Sequence, residues 1–115
     1  MSIEVITWNF TLPENFEPVD QFLMSLKAQL DAITLKPKAS KLHAILDARE
    51  IHRVTMQNRL KLNAFEKRYR KLIEKYVAMT TLIVTTKEQQ IRLQKVYETA
   101  QSSAPCRVLL DSEIS

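Results

Sequence analysis

The chain has 115 residues, 45% of them apolar and 26% charged, and this size and balance suit one soluble globular domain with a single core. Its 17 Lys and Arg against 13 Asp and Glu leave a net charge of +4, and its single cysteine, Cys106, excludes an intramolecular disulfide. Glycine is absent altogether, which removes the phosphate-cradling loops G-x-G-x-x-G and G-x-x-x-x-G-K-[ST] and the G-x-S-x-G nucleophile elbow.

No apolar stretch approaches the ~20 residues that span a bilayer. The opening MSIEVITWNF carries an acid and no basic run, unlike a signal peptide, so the cytoplasm is the expected location. No Cys/His cluster has metal-ligand spacing, and neither a metal nor a cofactor is expected.

Residues Ile3 to Phe10 are rich in β-branched and aromatic types and predict a first strand. Thr11 and Glu14 have the spacing of a capping box, with Pro13 suited to a first helical turn. From there Val19, Phe22, Leu23, Leu26, Leu30 and Ile33 recur at three and four, predicting an amphipathic helix. TLKPKASK lacks that period, and Pro37 ends the helix in a loop. Leu42 to Ala48 is short and mostly apolar, the pattern of a strand covered on both faces.

Roughly Thr55 to Val77 then predicts a second helix, with Leu62, Phe65, Tyr69, Leu72, Ile73 and Tyr76 on one stripe. Met79 to Thr86 predicts a third strand. Thr85 with Glu88, or Thr86 with Gln89, would cap a third helix whose apolar face is Leu93, Val96, Tyr97 and Ala100. SSAP breaks it, and Cys106 to Leu110 predicts a last strand.

The order β-α-β-α-β-α-β over residues 1–115 predicts one small α/β domain with a four-stranded, mostly parallel sheet and three main helices. The expected core includes Val5, Phe22, Leu26, Leu30, Ile45, Phe65, Leu72, Ile83, Val84, Val96 and Leu109.

In an open α/β sheet, function gathers beyond the carboxyl ends of the strands. That rim should hold Asp47, Arg49 to Thr55, Thr85, Thr86, Asp111 and Ser112. Asp47 and Asp111 would suit a cation or an acid/base pair if they met, or simply accept backbone N–H groups and a nearby Arg. His43 falls within a strand. His52 falls in the rim loop, with Thr55 and Asp47 as neighbours in sequence, and Cys106 reads as a small apolar group. No nucleophile–base pair emerges, so catalysis is not expected.

Eight Lys or Arg lie between Arg53 and Lys75 against Glu66 and Glu74, so this segment carries +6 while the rest of the chain carries −2. Such a stripe would attract phosphates, an anionic surface or an acidic protein, or be no more than a solvated helix face. It makes nucleic acid an alternative partner, although no exposed aromatic pair is interleaved to stack bases. Met56 beside Arg53 and Arg59 suits an apolar anchor within a charged ring, or a place in the protein's own core.

The order of elements, and AILDAREIHRVTMQNRL in particular, resembles the STAS domain of anti-sigma-factor antagonists and sulfate-transporter C-terminal regions. In that family an apolar strand ending in Asp leads through a short loop to an Asp-Ser pair at a helix start. A partner kinase phosphorylates the serine, and the helix forms the partner surface. AILD (Ala44 to Asp47) matches the strand end, TTLIVTT and CRVLLD resemble the next two strands, and FTLPENFEPVDQFLMSLKAQL resembles the first strand-to-helix passage. By spacing, the family's Asp falls on Thr55, its serine on Met56 and its glycine on Asn58, and one N-terminal strand stands where a pair is usual.

The resemblance implies a regulatory protein-binding module that lacks the usual phosphorylatable serine. Its partner surface would comprise Arg49, His52, Arg53, Thr55, Met56, Arg59 and Leu60, with Thr55 the candidate phosphoacceptor; a homodimer is among the assemblies this permits. A flavodoxin-like or thioredoxin-like variant shares the same alternation.

Overall fold

The computed structural model describes residues 3–100 and 103–113. Four strands, β1 (Glu4–Thr11), β2 (Ser40–Asp47), β3 (Val77–Val84) and β4 (Cys106–Leu110), alternate with helices α1 (Val19–Thr34), α2 (Met56–Arg68), α3 (Arg70–Tyr76) and α4 (Lys87–Ala100). The sheet order is β1-β2-β3-β4, and every neighbouring pair is parallel. The predicted α/β class and four-stranded sheet are therefore present, and the sheet is parallel throughout.

Each crossover steps one strand in the same direction. Crossovers of one hand then place every helix on the same face of the sheet. Burial follows: along β2, Ser40, Leu42, Ala44 and Leu46 are buried while the residues between them are only half-buried. The main core joins Leu42-side neighbours such as Ala44, Leu46, Leu82 and Val108 to Val19 and Phe22 of α1 and Leu93 of α4. A smaller cluster gathers Leu30, Ile73, Val77 and Ala104 at the other end.

Several expectations are corrected. β2 is covered on one face, not two. Val5 is 56% exposed, and Ile45, Ile83 and Leu109 are half-buried on the open face; the core positions are their neighbours Ala44, Leu46, Leu82 and Val108. An apolar run has no period, so it cannot say which face turns inward. Phe22, Leu30 and Val84 are buried as expected, and Leu26 and Phe65 pack against the clusters.

Thr11 ends β1 and caps nothing. The chain instead makes a tight turn at Glu14–Phe16, with Asn15 and Phe16 at φ of 53° and 64°. Holding a phenylalanine in that left-handed region costs about 1–3 kcal/mol. In return its ring sits edge-on to Phe22 with centroids 5.7 Å apart. The predicted second helix is two helices, because Tyr69 leaves helical geometry at φ −109° and ψ 20°. Its ring packs on Phe65, 4.7 Å between centroids, with Lys27 and Arg68 cations over it. Of the two caps considered for the last helix, Thr86 with Gln89 forms: Gln89 N–H donates to Thr86 Oγ1 (3.2 Å) and Thr86 N–H to Gln89 Oε1 (3.1 Å). The Ala100 side chain and residue Ser102 of SSAP lie outside what the structure describes.

Candidate functional site

The loop from Ala48 to Thr55 follows β2 at the carboxyl rim and is held from two sides. Gln89, 5% exposed, donates through Nε2 to the carbonyls of Arg49 (3.0 Å) and Ile51 (2.9 Å). Its Oε1 accepts from the backbone N–H of Thr85 and Thr86. From the other side, Asn15 Oδ1 accepts from the N–H of His52 (3.0 Å) and Arg53 (3.2 Å). One amide staples the loop to α4, and another staples it to the turn after β1.

Thr55 is the N-cap of α2, its hydroxyl accepting from Asn58 N–H at 3.1 Å. The first two turns then present Met56 and Leu60, 68% and 61% exposed, with Arg59 beside them. Met56 is thus not part of the protein's own core. Among the described residues, neither the Arg53 nor the Arg59 guanidinium meets a carboxylate.

Beneath these residues an apolar cleft of about 300 Å³ opens between α2 and α4 and reaches the sheet at Ala44, Leu46 and Thr80. Met56, Arg59 and Leu60 line its mouth, while Phe65, Val96 and Tyr97 line its walls. Sealed and empty, an apolar void of about 300 Å³ would cost about 7 kcal/mol at ~24 cal/mol per Å³, which is most of a small domain's stability. The space is therefore tolerable as an open cleft. A second hollow of about 500 Å³ adjoins it, lined by His52, Arg53, Arg59, Arg92 and Lys95 together with Gln89 and Leu93.

Of the residues the sequence singles out, Met56, Arg59 and Leu60 come together at the cleft, and His52 and Arg53 at the hollow beside it. Arg49 does not join them: its Nε and Nη2 are drawn to Asp47 at 3.0 and 2.8 Å. That Arg49 hydrogen bond holds the Asp47 carboxyl below its usual range. Asp111 follows β4, with β3 lying between it and Asp47, and neither acid lines the two hollows. The His52 carbonyl accepts from Arg92 at 2.8 Å. His43 lies on the open sheet face, its Nε2 2.9 Å from Thr81 Oγ1, and burial followed by nearby Arg107 lowers its pKa. Burial, with Glu66 nearby, pushes the Cys106 thiol up to about 12, so it stays protonated and unreactive.

Sequence reasoning missed Val54, Leu93, Val96 and Tyr97 as cleft residues. On α4 the helical spacing of Leu93, Val96 and Tyr97 marks an inward face, and inward reads as core when the opposing helix is assumed to close upon it; Val54, in the loop before α2, has no period to mark it. Gln89 was visible only as a cap. Its second pair of hydrogen bonds joins positions about 40 apart in sequence.

Among the described residues no three His, Cys, Asp or Glu gather as a metal site, and no helix is long and apolar enough to cross a membrane. Compared with known proteins, the chain matches no family model, no curated protein and no solved structure.

Proposed function

We propose that the chain is a regulatory protein-binding module of the STAS type, docking its partner through the loop after β2 and the first turns of α2. One observation carries this reading: Met56 and Leu60 stand exposed one turn apart beside Arg53 and Arg59, two cations that meet no carboxylate among the described residues. Exposed apolar side chains scattered singly mean little. Two on one helix end, over an apolar cleft and within a basic ring, have the anatomy of an interface anchor. The partner that fits is an acidic protein segment bearing an apolar side chain, steered by charge and held by burial.

The STAS reading places the family's serine at Met56, so the usual phospho-switch has no acceptor there. A phosphate on Thr55 would stand at the head of α2 near Arg53 and Arg59, where charge-assisted bonds favour it. The regulatory role and the cytoplasmic setting belong to this proposal.

The test is capture from the source cell by the wild-type chain and by the double variant Met56→Asp with Arg59→Glu, followed by reconstitution with the purified partner. A folded variant that loses the partner supports the docking surface, and unchanged capture sinks it. Salt separates the nucleic-acid alternative, whose affinity falls steeply with the number of phosphates neutralised.

A further inference from the structure

The cleft between α2 and α4 has a direction. Arg59 and Glu66 both line it and stand seven residues apart on α2. Seven residues are two turns, so the two side chains share a face and lie roughly 10 Å apart along the axis. Arg59 marks the end next to the rim loop, where the adjoining hollow adds Arg53, Arg92 and Lys95. At the other end the Glu66 carboxylate accepts from the Ser103 N–H at 3.3 Å. Between the charged ends the surface is mostly apolar, interrupted by Asn63 on α2 and by Thr80 of the sheet.

We propose that this cleft is a binding site for a free, single-chain aliphatic carboxylate, with its chain lying in the apolar channel and its head on Arg59. A volume of about 300 Å³ is at the lower bound of small-molecule sites and admits one chain rather than the two of a membrane lipid. The guanidinium fork matches a carboxylate in geometry as well as charge. Glu66 repels a negative head from the far end, so the polarity of α2 fixes which way the ligand lies. A cationic amphiphile meets the opposite field at the mouth. This inference goes beyond the docking reading, because the channel lies beneath Met56 and Leu60 whether or not a protein seats on them.

Decanoate, decanol and decyltrimethylammonium, titrated below their micellar range into the purified full chain, test it. Trp8, the chain's only tryptophan, stacks on Phe22 (6.2 Å between centroids, 11° between planes), and Phe22 lines the cleft, so its fluorescence reports filling; calorimetry gives the stoichiometry. The expected result is one decanoate per chain, weaker decanol and little binding of the cation. Arg59→Gln, at an exposed position that should leave the fold intact, should weaken decanoate at least tenfold and leave decanol within twofold. Val96→Trp should fill the channel and abolish binding of both. The proposal is overturned by no saturable decanoate binding, by equal binding of anion and cation insensitive to Arg59→Gln, or by decanoate that still binds the folded Val96→Trp chain. Pelleting with phosphatidylglycerol vesicles while free decanoate fails to bind would assign the surface to membranes instead. Failure here leaves the docking reading intact, since partner capture reads that separately.

Discussion

Gln89 makes the rim testable as a built structure. Its side chain is buried and forms four bonds of 2.9–3.1 Å to backbone groups: acceptor to the Thr85 and Thr86 N–H, donor to the Arg49 and Ile51 carbonyls. At about 1 kcal/mol net for each bond, and somewhat less for the part-buried ones, Gln89→Ala should cost about 3–4 kcal/mol. Gln90 provides the control, since its Nε2 makes one bond, to the Val108 carbonyl at 2.9 Å, and Gln90→Ala should cost about 1 kcal/mol. Gln89→Glu separates the two halves of the network. The introduced carboxylate still accepts both N–H groups but points an oxygen at two carbonyls, which should cost about 2–3 kcal/mol near neutral pH.

Protonating that carboxyl restores one donor, so its pKa in the folded chain lies above the ordinary ~4.3. A raised folded pKa contributes stability that is fully present below the unfolded value and is lost as pH rises through the folded one. The deficit of Gln89→Glu relative to wild type should therefore shrink between pH 7 and pH 4. Urea unfolding followed by far-ultraviolet circular dichroism at both pH values measures it. A Gln89→Ala cost below about 1 kcal/mol, or a Gln89→Glu deficit that grows on acidification, would refute the assignment of the loop's order to this side chain.

Three further outcomes follow from burial and charge. Leu82→Ala, on the helix-covered face, should cost about 3 kcal/mol, whereas Ile83→Ala, half-buried on the open face, should cost about half that or less in denaturant melts. Thr55→Ala should cost about 1 kcal/mol through loss of the α2 cap, and Thr55→Asp should retain it, both read from thermal unfolding. The Asp47 carboxyl, lowered chiefly by its bonds from Arg49, should titrate below the ordinary 3.8 by carbon-detected NMR. Its contribution to stability is present above that value and lost as pH falls through the lower folded one, and Asp47→Asn should remove this acid dependence.

The alternation of elements was legible because strands and helices differ in period and composition, and β4 emerged with the predicted bounds of Cys106 to Leu110. The faces of the strands were not. LHAIL and TTLIV carry apolar side chains on both faces, so Ile45 and Ile83 read as core as readily as Leu46 and Leu82, which are the ones the helices cover. The turn at Asn15 and Phe16 escaped because a capping-box spacing sat beside it, and nothing local announces a phenylalanine at φ 64°. The break at Tyr69 escaped because its neighbours Arg68 and Arg70 continue a sound helical pattern.

Met56 shows most clearly what tertiary structure adds. The helical period permits it inside, and its neighbours give no preference. Asn58 decides the matter: it is buried, and its Nδ2 donates to the Phe16 carbonyl at 3.4 Å, a partner supplied by the strained turn after β1. With Asn58 turned inward, positions 62 and 65 follow on the same side, as Leu62 and Phe65 do. Positions two either side of Asn58 then fall about 200° away, which turns Met56 and Leu60 out toward solvent. The flank between them carries Arg59 and Glu66 and faces the cleft. A polar side chain thus sets the rotation of α2, and that rotation places two apolar residues and a cation at the mouth of an apolar channel.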